Sequence, residues 1–261
     1  GLHRGEKYRW NVYGDVGSQG RRLNELTPMP ETSFGVTQSE LTIVELGNSI
    51  PYSGKLSALA KHDVLKIIEK ALKNDCRKAM DIEAYQQFDA CKLRYAPTGG
   101  TSATAVTATT NAATATTNNI AMGSGHVKAI SDDMRERNIP GFVGDDYVAI
   151  SHPTTYRPFK NELETVRQYS AEGQGMIYSG EVGRYEGIRF VEQNFIPKGG
   201  ANDSTTFDPY TGTADAWNNA KSSWCFFLGG DTVNEAIVIP EEIRAKLPGD
   251  FGRSGGIAWL N

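Results

Sequence analysis

From Lys55 to Ala96 the chain contains neither glycine nor proline, and within that stretch Leu59, Val64, Leu65, Ile68, Leu72, Cys76, Ala79 and Met80 recur at spacings of three and four. Apolar residues in that pattern lie along one stripe of an α-helix. Ser57 is placed to cap its start. If about 35 residues are helical, the rod is about 50 Å long at 1.5 Å per residue, roughly three times the usual helix of a globular domain. The apolar positions do not keep a strict heptad beyond Met80, which sets a coiled coil aside. One long helix packed by one face on a sheet is the expectation.

The residues before this helix read as two extended arms. KYRWNVYGDV alternates Tyr8, Trp10 and Val12 with Lys7, Arg9 and Asn11, and SELTIVELGNSIPYS alternates Leu41 and Ile43 with Thr42 and Val44. The connection between them, with Gly17, Gly20, Pro28, Pro30 and Gly35, is long for a compact hairpin. A two-stranded ribbon with a polar, charged tip results. Such a ribbon is marginal in water and must lie on something.

After the helix, Pro97 to Gly125 is rich in Ala and Thr and carries no charge; a loop is expected there, with a weak strand around Ala105 to Thr110 as the alternative. HVKAISDDMRERNI continues as a second helix from Ser124 or Gly125, with Val127, Ile130 and Met134 on one face. DYVAISHP reads as a buried strand stopped by Pro153, and Phe159 to Ser170 as a short helix with Leu163, Val166 and Tyr169 inward. A polar insertion spans Pro197 to Ser222. WCFFLGGDTVNEAIVIP gives two strand-like runs, and Ile257 to Leu260 a last one. The fold class is α+β.

Gly180, Gly183 and Gly187 in SGEVGRYEG suggest a phosphate loop, but a strand pattern, IRFVEQNF, follows where a nucleotide loop needs a helix. They mark a tight turn before a strand. Ile188 and Phe190 are expected to face away from Arg189 and Glu192.

Net charge is −4, which argues against a nucleic-acid binder working by bulk positive charge while leaving room for a local basic patch. Cys76, Cys91 and Cys225 are too few and too far apart for a metal knuckle or a disulfide framework, and are expected as reduced thiols. No apolar run is long enough to span a membrane and no signal segment opens the chain, which starts at Gly1 as a processed or partial chain would. No cofactor or metal motif occurs. The alternative reading, a small hydrolase, uses His152 at a strand end, with Asp145 and Asp146 nearby, together with Glu181 and Glu186 as a carboxylate pair. The plainer readings are a capping histidine and surface carboxylates. A third reading is a monomeric binding module using the Ala/Thr loop or the 197–222 insertion.

Four segments in order, DYVAISHPTTYRPFKN, GMIYSGEVGRYEGIRFVEQNF, SSWCFFLGGDTVNEAIV and EEIRAKLPGDFGRSGGIAWLN, together with the ribbon and long helix, resemble the major capsid proteins of tailed bacteriophages, in the branch typified by the N-four coat protein. The resemblance implies the HK-ninety-seven-type fold: residues 1–56 as an extended loop over a neighbouring subunit, 57–125 as spine helix and peripheral region, 126–230 as an axial-type domain with the 197–222 insertion, and 231–261 returning to the peripheral domain. It implies a protein without catalytic, cofactor or metal residues. Copies would assemble as hexamers and pentamers of an icosahedral virion shell around double-stranded DNA. The chain would be made in a bacterial cytoplasm, with scaffold, portal and decoration proteins as further candidate partners and no membrane. Gly180, Gly183 and Gly187 then form a structural turn where packed subunits approach closely. The ribbon tip, Arg21, Arg22, Glu25 and Leu26, is the expected intersubunit clasp. One departure stands out: the family carries an N-terminal arm before the extended loop, and this chain opens almost directly on the ribbon.

Overall fold

The computed structural model describes residues 7–13, 20–26, 28–111, 120–167, 183–196, 223–230 and 232–261, side chains 164–167 excepted. The chain divides into two compact units, one of residues 1–73 and 235–261 and the other of residues 74–234.

In the first unit, β1 (Lys7–Tyr13) and β2 (Val36–Thr42) form the antiparallel ribbon, with Tyr8 opposite Leu41 and Trp10 opposite Ser39. Alternation explains its two faces: Lys7 and Arg9 share the Glu40 carboxylate on one side, while the Tyr8 and Trp10 rings lie 6.1 Å apart on the other. The second arm is not one strand. It breaks at Ile43–Leu46, and β3 (Gly47–Ser53) joins a separate sheet of order β10–β11–β3, with β10 at Glu242–Ala245 and β11 at Ser254–Leu260. Within that sheet the Tyr52 ring covers Gly255 directly across the ladder; a Cβ on Gly255 would stand 2.6 Å from the ring. Glycine is needed there for an aromatic cross-strand cover.

The uninterrupted 55–96 helix is corrected into three pieces. Ser53, not Ser57, accepts the Leu56 amide and caps α1 (Gly54–Leu59). The helix stops at Ala60, and Asp63 restarts it by accepting the amides of Leu65 and Lys66 at the head of α2 (Val64–Asp89). At 26 residues α2 is about 39 Å long. Beyond it Arg94–Pro97 is a strand, β4, because pairing with β5 (Val106–Thr109) satisfies its backbone. The loop expected over Pro97 to Gly125 is therefore corrected at Val106–Thr109, where the alternative strand forms. Residues 112–119 lie outside the described residues.

The second unit contains a four-stranded sheet of order β7–β8–β6–β9, namely Arg184–Tyr185, Ile188–Glu192, Tyr147–Ser151 and Cys225–Leu228. β6 runs parallel to β8 and antiparallel to β9. It is the central, most buried strand, as its near-continuous apolar sequence requires. Against the sheet lie α3 (Ser124–Glu136) and α4 (Pro153–Arg167), whose Val127, Ile130, Met134, Phe159 and Leu163 join Tyr147, Ala149 and Ile188 in one core. α4 begins six residues earlier than its apolar pattern announced, because His152 caps it: Nδ1 accepts the Thr154 amide at 3.2 Å, and Pro153 fills the first helical position, where no donor is needed. Glu192 shares its face with Ile188 and Phe190 rather than with Arg189, and ion-pairs with Lys160 of α4. Of the two runs in WCFFLGGDTVNEAIVIP only the first is a strand; Ile237, Val238 and Ile239 are exposed and in no strand.

Candidate self-assembly surface

The two units differ in how they bury apolar side chains. Among the described residues, Ile68, Leu72 and Trp259 are the buried apolar side chains of the first unit, whereas the rest of the buried core belongs to the second. The first unit instead leaves Tyr8, Val12, Tyr13, Phe34 and Val36 of the ribbon exposed, and Ile237, Ile239, Leu247 and Phe251 near its C-terminal strands. Soluble monomers rarely expose apolar surface so extensively.

At the ribbon tip Arg21, Arg22, Glu25 and Leu26 are all exposed, Leu26 to 98%. No described carboxylate forms a salt bridge with either arginine. Lower on the ribbon, Tyr13 stacks on Phe34 at 5.9 Å. Hydrogen bonds from Lys7 and then Arg9 hold the Glu40 carboxyl below the usual carboxylate range. These contacts join side chains across the ribbon while Tyr8, Val12, Tyr13 and Phe34 stay exposed.

A second exposed tip lies between β10 and β11. Asp250, Phe251 and Gly252 all have positive φ, of 51°, 54° and 90°, and Phe251 is fully exposed, beside Leu247 at 86%. Left-handed backbone at two consecutive non-glycine residues is uncommon and here presents an aromatic ring to solvent. Sequence reasoning missed this tip; LPGDFG carried a turn signal without revealing which side chain it exposes.

Of the glycine turn, Gly180 lies outside the described residues. Gly183 has φ +67° with open space around it, and Gly187 has φ +74°. With Glu186 at +51°, Gly187 forms the two-residue connection of the β7–β8 hairpin, in which both central residues have positive φ. The Glu186 carbonyl accepts from the buried Ser131 hydroxyl at 2.9 Å and from the Arg135 guanidinium at 3.4 Å, both on α3. This turn docks on a helix of its own chain.

The residues of the enzyme reading are apart. His152 ends β6 at one extremity and Asp146 precedes it at the other, about 20 Å away at 3.3 Å per residue. Asp146 is buried and bound by Arg184 at 2.6 Å and Arg189 at 3.0 Å. Burial alone would push its carboxyl up, but the hydrogen bonds from Arg189 and Arg184 outweigh it and hold it below the usual range. Glu181 lies outside the described residues, and Glu186 serves the turn. At the His152 end, the hydroxyls of Ser151, Thr155 and Ser223 interlock, Thr155 with Ser223 at 2.9 Å and Ser151 with the Trp224 carbonyl at 2.8 Å. They tie β9 to β6 and α4. Burial pushes the neighbouring Cys225 thiol up to about 12, far from a nucleophile's range. His126 holds the start of α3, its Nδ1 accepting the Gly123 amide at 2.8 Å while Nε2 meets the Thr98 carbonyl at 3.0 Å. Among the described residues no three His, Cys, Asp or Glu side chains are grouped to hold a metal ion, and no helix is long and apolar enough to cross a membrane.

No protein-family model and no curated protein matches this sequence. Solved structures do. The acid-stable capsid structure of Helicobacter pylori bacteriophage KHP30 matches with a TM-score of 0.68 at 13% identity, over 100% of this chain and 78% of that one. The head structure of Helicobacter pylori bacteriophage KHP40 matches at 0.66 and 14% identity, over 98% and 76% of the two chains. The capsid of cyanophage P-SCSP1u matches at 0.65 and 14% identity, over 99% and 79%. From ribbon to last strand, this chain has the α+β fold of phage capsid proteins, of HK-ninety-seven type.

Proposed function

We propose that this chain is the major capsid protein of a tailed bacteriophage, assembling with copies of itself into the icosahedral shell of the virion. The observation that carries this reading is how little the first unit buries: Ile68, Leu72 and Trp259 among the described residues, against most of its large apolar side chains left exposed. Such a unit completes its burial against other copies. The fold, shared along the whole chain with phage capsid proteins, supplies a matching precedent. In this reading residues 1–56 are the extended loop, 57–125 the spine helix and peripheral region, 126–230 the axial-type domain, and 231–261 the return to the peripheral domain. Arg21, Arg22, Glu25 and Leu26 clasp a neighbouring subunit within hexamers and pentamers. The shell, assembled in the host's cytoplasm, encloses double-stranded DNA without reading its sequence. Its function is structural, and a small hydrolase using His152 with Glu181 and Glu186 finds no support among the described residues, where the Glu186 carbonyl serves the turn on α3.

Purified chain examined by size-exclusion chromatography and negative-stain microscopy tests this. Closed shells, or rings and sheets of hexamers, are the expected outcome. A monomer that stays monodisperse as concentration rises would refute it.

A further inference from the structure

Residues 55–78 hold seven Lys and Arg against three Asp and Glu, a net +4 in a chain whose total is −4, so the remainder carries −8. Within α2 itself, residues 64–78 hold five Lys and Arg against two Asp and Glu, a net +3 concentrated on the head of the helix. At 3.6 residues per turn, Lys66, Lys70, Lys73 and Arg77 fall within an arc of about 60° and span about 16 Å of axis. All four are exposed. Glu69 borders this arc about 40° to one side, and no apolar side chain of Val64–Lys78 falls within it. Lys66 meets Asp63 at 3.7 Å and Lys73 meets Glu69 at 2.7 Å, but these are exposed helical pairs of the kind that contribute little and exchange readily. No described carboxylate forms a salt bridge with Lys70 or Arg77. Several cations elsewhere are committed: Arg94 to Asp89 and the Trp224 ring, Arg184 and Arg189 to Asp146, Arg137 to Asp133.

We infer that this stripe of α2 is a contact surface for the sugar–phosphate backbone of double-stranded DNA. The inference rests on the shell reading, which supplies the DNA, and adds the residues that meet it. One strand of a duplex presents about five phosphates over 16 Å at 3.4 Å each, enough for each of the four cations to take one. Three of the four are lysines, mobile point charges that follow phosphates without reading bases. A contact between protein copies would want an apolar centre and few lysines, and the arc has the opposite composition.

The test is fluorescence anisotropy of the full chain with short labelled duplexes of two unrelated sequences, between about 50 and 200 mM salt. Equal binding of both sequences is expected, with a log–log salt slope between about −3 and −4, at about −0.9 per phosphate contacted. The variant Lys66→Gln, Lys70→Gln, Lys73→Gln, Arg77→Gln keeps the helix, since Gln is as good a helix former. It should bind at least tenfold more weakly and lose most of the slope. A charge-matched control away from both the stripe and the ribbon tip, Lys92→Gln, Arg157→Gln, Lys246→Gln, Arg253→Gln, should retain both. Equal loss in the control, or unchanged binding in the stripe variant, overturns the inference. Should the stripe variant keep DNA binding and fail only to form shells, the stripe is a contact between copies and the inference is wrong. Shell formation by the unaltered chain is scored separately, so absence of shells strikes the capsid reading while loss of salt-dependent binding strikes this one.

Discussion

Leu26→Ala at the ribbon tip separates a residue used within the chain from one used between chains. The side chain is 98% exposed, so its truncation removes almost no burial from the folded monomer and should change its stability by less than about 0.5 kcal/mol. Burying a leucine at a contact contributes about 1.5 to 3 kcal/mol. Lost from each clasp, that amount raises the concentration needed for assembly about 10- to 100-fold, at about 1.4 kcal/mol per factor of ten. Arg21→Glu with Arg22→Glu should act more strongly, because a charge left opposite the wrong partner in a buried contact costs about 3 to 5 kcal/mol. Both variants are followed by thermal unfolding of dilute monomer and by light scattering across a concentration series, with microscopy of the product. The expected pattern is an unchanged melting point, a shifted assembly threshold for Leu26→Ala, and no shells for the double arginine variant. Normal shells at the unaltered threshold would refute the clasp. A melting point lowered by several degrees would show instead that the tip is bound within its own chain.

Phe159, fully buried and packed at 5.1 Å from Phe190 and 5.4 Å from Tyr185, should cost about 3 to 5 kcal/mol on truncation to Ala, measured by urea unfolding; a loss under about 1 kcal/mol would contradict the core described here. Gly187→Ala forces a Cβ onto left-handed backbone and to 2.5 Å from the Arg135 guanidinium, so a loss of about 1 to 2 kcal/mol is expected, and unchanged unfolding would remove the turn from α3. The Asp146 and Asp133 carboxyls are held below their ordinary value of 3.8, so the stability they contribute is present above about pH 4 and is lost as pH falls through the folded values. Asp146→Asn should flatten that acid limb, and a melting-point profile identical to the unaltered chain's below pH 4 would disprove it. With its thiol part-buried and pushed up to about 12, Cys225 should react with a thiol reagent at pH 8 in native protein far more slowly than exposed Cys91; modification of Cys225 at the rate of Cys91 would overturn this.

Periodicity made much of this fold legible. The alternation of Tyr8, Trp10 and Val12 with Lys7, Arg9 and Asn11 specifies a ribbon, Val127, Ile130 and Met134 specify the inner face of α3, and YVAIS specifies a central strand. Each is a local pattern that only one secondary structure can bury. The order of those elements also carried the resemblance to capsid proteins. Local pattern could not decide where competing partners intervene. Nothing in the run from Lys55 forbids a continuous helix, yet Asp63 captures two amides and starts a new one, and Arg94–Pro97 leaves helix for strand because Val106–Thr109 is there to pair with it. The exposed Phe251, the Arg184–Asp146–Arg189 cluster and the docking of Glu186 on Ser131 join residues distant in the chain or depend on backbone sign, which residue spacing does not encode. Sequence determines which faces are apolar, because burial free energy follows side-chain type and period. Tertiary structure alone decides which of those faces find cover within the chain, and here it leaves side chains of the ribbon and of the β10–β11 tip exposed, the exposure on which the proposed self-assembly rests.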